Sequence, residues 1–254
     1  MIRSPIPVAD AHAHLRSGFA YKTEPEQMLA VMDSLNIEFI AVTASLACRN
    51  DMAAGNAEVA ETLRRYSSRF RGYITVNPHV PGEAVRELDR WAAFHQPPLI
   101  KLHPGTHRYP VHGLKYAPVW DYANQTQAVV LVHTWESDPF CGPQHFAALG
   151  RAYPHARILL GHSGVTWRGY EQATEAALAA PNLYLELSGS QRHRTKLERC
   201  VARVGAERIL YGSDMPFLEP ASTLADVLTA AIPDWSKELI LRHNFLRLLG
   251  ESNA

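Results

Sequence analysis

Short apolar runs recur at an even spacing along the chain, and this regularity limits the possible folds more than any other feature of the sequence. Eight runs rich in Val, Ile, Leu and Tyr have the length and composition of β-strands. They cover residues 8–14, 39–46, 73–79, 99–103, 129–133, 158–162, 183–188 and 209–214. Their C-terminal ends lie about 25 to 33 residues apart, which is close to the length of a strand with its following helix.

The segments between these runs carry apolar residues at helical spacing. Met28, Met32 and Leu35 form one such apolar face, and Val59 and Leu63 belong to another. Eight strand–helix units in 254 residues predict an α/β fold, a (β/α)8 or TIM barrel in which residues 1–254 form a single domain. A doubly wound open sheet is the alternative, and the even spacing of eight units favours the barrel.

The balance of charges limits the partners of the chain. It has 25 Lys and Arg residues against 25 Asp and Glu residues, so the formal net charge at pH 7 is zero. A generic binder of nucleic acids or anionic membranes carries a broad excess of positive charge, which this composition excludes. We therefore expect a small-molecule substrate and no nucleic-acid or membrane partner. A homo-oligomer is compatible with the composition.

Two further features concern the cellular compartment. The first residues lack the apolar core of a secretion signal, and no run approaches 18 apolar residues. Cys48, Cys141 and Cys200 are dispersed and lack CxxC spacing, which argues against a disulfide framework and against a thiolate zinc site. We expect a cytoplasmic protein.

The 13 histidines of the chain are concentrated where the predicted strands end. In a (β/α)8 barrel the C-terminal ends of the strands surround one pocket. Six of the eight runs end in a side chain that commonly binds metals: His14, His79, His103, His133, His162 and Asp214. This concentration is the main functional signal in the sequence.

The first run ends in the pentapeptide Asp10-Ala11-His12-Ala13-His14. Side chains alternate between the two faces of a strand, so Asp10, His12 and His14 are expected on one face and the two alanines on the other. Imidazoles two residues apart can converge on one cation. Two solvent-facing loop histidines are the alternative, and the position at the end of the first strand favours metal binding.

Three other strand ends support this hypothesis. His133 and His162 end consecutive apolar runs, which places them on adjacent strands, although a single histidine in such a position is more often a core residue. Asp214 ends the last run, and the eighth strand of a closed barrel lies next to the first. Asp214 can therefore complete a metal site or accept a proton from metal-bound water; the alternative is a turn residue before Pro216.

Several of these segments together resemble the strand-end motifs of the amidohydrolase superfamily. They are Asp10-Ala11-His12-Ala13-His14, Lys101-Leu102-His103-Pro104, Val132-His133-Thr134-Trp135, Gly161-His162-Ser163-Gly164 and Tyr211-Gly212-Ser213-Asp214-Met215-Pro216. The branch they resemble is the amidohydrolase-related family, which includes aminocarboxymuconate-semialdehyde decarboxylase. Each motif is loose, but their order and spacing over nearly the whole chain are specific.

The resemblance implies a barrel that holds one or two divalent metal ions, most often Zn²⁺. By position, His12 and His14 would be ligands from the first strand, His133 from the fifth and Asp214 from the eighth. His162 would bind a second metal in a binuclear site, or otherwise polarise the substrate or the attacking water.

The fourth strand adds two candidate residues. Lys101 and His103 share one face of that strand. In binuclear relatives this strand often supplies a carboxylated lysine or a glutamate that bridges two metals, so Lys101 is a candidate for that role. A contact between Lys101 and a substrate carboxylate is the alternative. His103 and Trp135 are further candidates for substrate binding.

The ligand set predicts metal-dependent chemistry. A metal held by imidazoles and one carboxylate keeps an open position for water and lowers the pKa of that water. Asp214 is placed to carry the proton, and His162 to donate to the developing oxyanion. Hydrolysis of a small amide, lactone or ester is therefore the first expectation. The alternative is nonoxidative decarboxylation of an aromatic or unsaturated carboxylic acid. A barrel that has lost its activity and serves as a scaffold is disfavoured, because no candidate ligand is missing.

Overall fold

The computed structural model describes residues 2–15, 23–91, 97–191 and 193–251. Within these ranges the β-strands are β1 (Val8–Leu15), β2 (Ile37–Ala44), β3 (Phe70–Gly72), β4 (Ile74–Thr75), β5 (Leu99–Leu102), β6 (Val129–His133), β7 (Arg157–Gly161), β8 (Leu183–Glu186) and β9 (Ile209–Leu210). They coincide with the eight predicted runs, with shifts of a few residues at the ends. The largest shift is in the third run, where the strand begins at Phe70.

The strands form a closed ring. All neighbours pair in parallel, in a group of three (β1 to β3) and a group of six (β4 to β9). Tyr73 separates β3 from β4, and its backbone N–H donates to the Val42 carbonyl oxygen at 2.8 Å, so β3 and β4 are two parts of one strand. At the other edge, Ala13 forms a parallel bridge with Met215, just after β9. The ring has eight strand positions, which confirms the predicted single-domain (β/α)8 barrel.

Helices connect the strands on the outside of the ring. In the described residues they are α1 (Pro25–Leu35), α2 (Ser45–Arg49), α3 (Met52–Arg65), α4 (Pro81–Trp91), α5 (Pro104–His107), α6 (Ala117–Thr126), α7 (Phe146–Ala152), α8 (Trp167–Ala179), α9 (Arg194–Val204), α10 (Pro220–Thr229), α11 (Asp234–Glu238) and α12 (Asn244–Leu249). Among the residues that the structure describes, no helix has the length and hydrophobicity needed to cross a membrane.

Helix α1 shows how local sequence sets the bounds of an element. Pro25 occupies its first position, where the absent N–H costs no hydrogen bond. The backbone N–H of Glu24 donates to the side-chain oxygen of Gln27 at 2.9 Å, which is one half of a capping box. The helix ends at Asn36, whose left-handed φ of 66° stops the helical hydrogen bonding.

Apolar side chains pack on both sides of the ring. Phe39, Tyr73 and Leu131 belong to the inner cluster, and each is at most 2% exposed. Burial of a large apolar side chain contributes about 1.5–3 kcal/mol to folding. Phe245 in α12 lies with its ring centroid 5.9 Å from that of Phe39, so the C-terminal helix packs on the inner cluster. The interior of the ring is therefore filled by side chains, and open space is found at the carboxyl ends of the strands.

Candidate metal centre

A pocket of about 170 Å³ opens where the carboxyl ends of the strands meet. Its walls are formed by His14, Ser45, Cys48, Arg49, His103, His133, His162, Asp214 and Phe217. Five of the six predicted strand-end residues therefore surround one cavity. The sixth, His79, lies outside its walls and has its Nε2 2.7 Å from the carbonyl oxygen of His107.

Three donor atoms converge at the base of this pocket. Nε2 of His14 lies 3.3 Å from Nε2 of His12 and 3.1 Å from Oδ1 of Asp214. Oδ1 of Asp214 lies 3.7 Å from Nε2 of His12. These atoms are close enough to one another to share a metal ion. The structure thus brings together three of the four residues that the sequence predicts as metal ligands.

Strand β1 reaches this arrangement through an irregularity that simple alternation does not predict. Asp10 pairs with Ile40 and Ala13 with Val42, so three steps along β1 match two along β2, as in a β-bulge. Ala11 consequently packs in the inner cluster and Ala13 among the apolar side chains on the outer side of the ring, and the expectation that the two alanines share one face is wrong. His12 and His14 nevertheless converge, as predicted.

The hydrogen bonds of Asp10 link the first and last strands. Its Oδ1 accepts from the backbone N–H groups of His12 and Ser213, both at 3.0 Å. Burial raises the pKa of Asp10 to about 7. The Asp10 side chain is fully buried and is absent from the pocket walls, so it supports the two segments that carry His12 and Asp214.

The histidines of the centre are held in the neutral form that a metal ligand requires. Burial, with a smaller contribution from the Lys101 charge, lowers the pKa of His12 and of His14 well below 6.5. Burial likewise lowers the pKa of His133 well below 6.5 and that of His162 to about 4. Neutral imidazoles offer a nitrogen lone pair at neutral pH.

A buried carboxylate sets the orientation of His12. Nδ1 of His12 lies 2.7 Å from Oε2 of Glu186, at the end of β8, and both side chains are inaccessible to solvent. A carboxylate accepts, so Nδ1 of His12 carries the proton and donates to it, which leaves a lone pair on Nε2. That nitrogen faces His14 and Asp214. The donor set therefore fits a divalent cation, with two imidazole nitrogens and one carboxylate oxygen.

Lys101 lies next to Nε2 of His12, a candidate metal ligand. Its ammonium nitrogen is 2.8 Å from Nε2 of His12, and the residue is completely buried. Burial lowers the pKa of Lys101. The residue does not line the pocket, so the structure places it beneath the floor beside His12, and not in the wall that a substrate would contact.

His133 and His162 form a second pair, in which the His162 ring lies with its centroid 4.9 Å from that of His12. Nε2 of His162 lies 3.0 Å from Nδ1 of His133. The rings of His103 and His133 stack with centroids 4.1 Å apart, and the Trp135 ring lies parallel to that of His133 at 6.1 Å. In the described residues, His133 is in neither group of three donors compact enough for a metal, whereas His162 forms one with His12 and Glu186.

The turn after β7 presents His162 to the pocket. His162 and Ser163 have positive φ values of 64° and 46°, an uncommon conformation for residues other than glycine. Thr134 stabilises this turn, since its hydroxyl donates to the Gly161 carbonyl oxygen at 2.7 Å and accepts from the Gly164 N–H at 2.9 Å. Hydrogen bonds from the neighbouring strand end thus hold the strained segment that carries His162.

Six residues of the site escaped the sequence analysis. Glu186 and Ser188 lie beneath the histidines, and the pocket is also lined by Ser45, Cys48, Arg49 and Phe217. The Phe217 ring meets the ring of His14 edge-on, with centroids 5.0 Å apart. Glu186 was detectable, because it is a carboxylate at a strand end. The motifs contained no signal for the other five.

Comparison with known proteins agrees with this geometry. A family model described as amidohydrolase matches residues 9–250. Among curated proteins, none matches the chain at a significant level.

Solved structures share the fold at low sequence identity. An uncharacterized TIM-barrel protein from Bordetella bronchiseptica is 17% identical, with a TM-score of 0.80 over 96% of this chain and 99% of that one. A 2,6-dihydroxybenzoate decarboxylase in complex with 2,6-dihydroxybenzoate is 16% identical, with a TM-score of 0.78 over 96% and 99%. A dihydroxybenzoic acid decarboxylase from a Polaromonas species, with bound manganese and the inhibitor 2-nitroresorcinol, is 17% identical, with a TM-score of 0.75 over 98% of each chain.

Proposed function

Because the chain belongs to the amidohydrolase family, we propose that it is a metal-dependent enzyme that removes CO₂, without oxidation, from a small aromatic or unsaturated carboxylic acid. This proposal reverses the order of the two activities expected from the sequence, where hydrolysis came first. The names of the structural neighbours favour decarboxylation, since two of the three described above are decarboxylases of hydroxybenzoic acids.

The composition of the pocket wall is the observation that carries the proposal. His14 and Asp214 share this wall with Arg49 and Phe217. A guanidinium group binds a carboxylate through paired hydrogen bonds, and an aromatic ring packs against a planar molecule. A carboxylate on a flat ring matches all of these groups at once.

The size of the pocket supports a substrate of one ring. A cavity of about 150 Å³ in another protein accepts benzene. At about 170 Å³, this pocket suits a single substituted ring better than a larger molecule. Its open side leaves room for substituents such as hydroxyl groups.

The chemistry divides between the cation and the side chains. A divalent cation at His12, His14 and Asp214 would supply positive charge to hold and polarise oxygen atoms of the substrate. Arg49 orients the carboxylate that is lost, and Phe217 holds the ring. Decarboxylation breaks the bond between the carboxylate and its carbon, and a proton replaces CO₂ at that carbon.

We assign the transfer of this proton to Asp214. Its carboxyl group lines the pocket, and its side chain is 14% exposed, so it can exchange protons with solvent. His162 lines the same cavity. Zn²⁺ remains our first choice of metal from the sequence, and the manganese of the Polaromonas protein makes Mn²⁺ the second.

The experiment that tests the proposal compares two substrate classes. Protein loaded with Zn²⁺ or Mn²⁺ is incubated in D₂O with hydroxybenzoic acids labelled with ¹³C in the carboxylate, and separately with small lactones, amides and esters. We expect metal-dependent release of labelled CO₂ and a deuteron at the vacated carbon. Release of acid from the second class, without CO₂ from the first, would show a hydrolase and overturn the proposal.

A further inference from the structure

Glu186 is the centre of a buried hydrogen-bond network that connects His12 with His162. Its Oε2 lies 2.7 Å from Nδ1 of His12, 2.8 Å from the hydroxyl of Ser188 and 3.1 Å from the backbone nitrogen of His162. Its Oε1 accepts from the backbone N–H of Ser188 at 2.6 Å. Glu186 and Ser188 are both completely buried, so water does not substitute for these partners.

The absence of a side chain at Gly212 leaves the space that the Glu186 carboxylate occupies. A Cβ atom at Gly212 would lie 2.0 Å from Oε1 of Glu186 and 2.9 Å from Cβ of His12. Only glycine therefore fits at this position while Glu186 and His12 keep their places. A glycine at the end of the last strand thus permits the contact between Glu186 and His12.

The hydroxyl of Ser188 occupies the middle of one potential metal site. It lies 3.1 Å from Nδ1 of His12, 2.9 Å from Nδ1 of His162 and 2.8 Å from Oε2 of Glu186. These atoms belong to the three residues of the buried His12–His162–Glu186 group. Because a hydroxyl already fills the space between them, this group is a hydrogen-bond network and not a metal site.

The donor and the acceptor of each hydrogen bond around Glu186 follow from the chemistry of the paired groups. Both oxygens of Glu186 receive backbone N–H groups, which only donate, so the carboxylate acts as an acceptor throughout. Nδ1 of His12 must carry a proton to donate to Oε2. The Ser188 hydroxyl has one proton, and directing it elsewhere would leave two oxygens 2.8 Å apart without a hydrogen between them. It therefore donates to Glu186.

The protonated nitrogens of His162 and His133 follow from the direction of the Ser188 hydrogen bond. With its own proton directed to Glu186, Ser188 accepts from Nδ1 of His162, and Nε2 of His162 keeps a lone pair. That nitrogen is 3.0 Å from Nδ1 of His133, so His133 donates through Nδ1. Nε2 of His133 is then unprotonated, like Nε2 of His12.

We propose that Glu186 and Ser188 are positioning residues that fix the protonated nitrogen in His12, His162 and His133, and so leave Nε2 of His12 unprotonated for a cation. This inference rests on the metal site of the proposed function. It also makes Nε2 of neutral His162 a hydrogen-bond acceptor, which differs from the donor role expected from the sequence.

The test reads the protonated nitrogen directly. In metal-free protein labelled with ¹⁵N-histidine, long-range ¹H–¹⁵N spectra distinguish Nδ1–H from Nε2–H rings. We expect Nδ1–H for His12, His133 and His162 in the wild type. Ser188→Ala removes the hydrogen bond to His162 but keeps the contact between His12 and Glu186. It should leave the tautomer of His12 unchanged and give a mixture of Nδ1–H and Nε2–H tautomers at His162 and His133.

Metal affinity provides the second measurement. Partners of metal-ligating histidines contribute about 10- to 100-fold to affinity. Glu186→Gln should weaken Zn²⁺ binding by about that factor, and Ser188→Ala by less, in competition titrations with a chelator. Glu175→Gln, on the exposed face of α8, is the matched control and should bind as the wild type does.

Three results would overturn the inference: Nε2–H rings at His12 or His162 in the wild type, unchanged rings at His162 in Ser188→Ala, or unchanged affinity in Glu186→Gln. If Glu186→Gln does not fold, Ser188→Ala decides alone. If the wild type binds no divalent metal, the proposed function fails, while the ring spectra still decide the positioning role.

Discussion

Oδ1 of Asp214 lies 3.1 Å from Nε2 of His14, a contact between the segment after the last strand and the end of the first. Backbone contacts hold the two segments together. The Asp214 N–H donates to the His12 carbonyl oxygen at 2.8 Å, and the Ala13–Met215 bridge follows directly. Closure of the barrel thus creates the candidate metal centre, which requires no separate loop.

Asp214→Asn should remove most of the catalytic activity while the fold persists. The amide keeps the size of the side chain but does not carry the proton, and positioned proton transfer contributes about 100- to 10,000-fold to a rate. We expect kcat for CO₂ release to fall by at least about 100-fold at saturating metal. Asp121→Asn, on the exposed side of α6, is the control for the change of charge. Full activity in Asp214→Asn would exclude the role of Asp214.

The double substitution of His12→Ala and His14→Ala should abolish metal binding. It removes both nitrogen donors and leaves one carboxylate of the set, which is too few ligands for a specific site. Metal analysis after loading and desalting should give about one ion per wild-type chain and none per variant chain. His112 and His145, whose ring centroids lie 4.9 Å apart, provide a control pair for the same double change. Unchanged metal content in the first variant would disprove the assignment.

The barrel and the histidine cluster were predictable because both follow from periodicity. Apolar runs of regular length set the strands, and the strand ends of a closed barrel must meet, so His14, His133 and Asp214 were located by counting. The β1 bulge was not predictable, since alternation assumes regular pairing. Ala11 therefore packs on a different side than expected.

The remaining residues of the site depend on tertiary contacts that no repeat encodes. Glu186 ends a strand, but its role is visible only when His12, from a distant part of the chain, is placed 2.7 Å from it. Arg49 belongs to the short helix α2, and its position at the pocket depends on the path of the chain after β2.

Arg49→Gln should weaken binding of the carboxylate substrate more than it slows the reaction. A hydrogen bond between charged groups contributes about 1.5–3 kcal/mol, which corresponds to about a 10- to 100-fold rise in KM. Arg49→Lys keeps the charge but loses the paired geometry and should have an intermediate KM. Arg151→Gln, on the exposed side of α7, is the control. An unchanged KM in Arg49→Gln would show that another group binds the carboxylate.

His107 makes the stability of the fold depend on pH at a position outside the pocket walls. Its ring is 7% exposed, and its Nδ1 lies 2.9 Å from the hydroxyl of Tyr116. Burial, with a smaller effect of His79, lowers the pKa of His107 from 6.5 to about 4. Between these values the unfolded chain binds a proton that the folded chain excludes, so this contribution to stability is complete above pH 6.5 and is lost as the pH falls towards 4.

His107→Gln should therefore make the protein less sensitive to acid. For a shift of this size, the His107 contribution to the free energy of unfolding falls by about 2 kcal/mol between pH 7 and pH 5. Urea unfolding of metal-free protein at both pH values measures it. We expect the wild type to lose about 2 kcal/mol more than His107→Gln over this interval, whereas exposed His155→Gln should follow the wild type. Equal losses in the wild type and His107→Gln would show that His107 does not contribute to acid sensitivity.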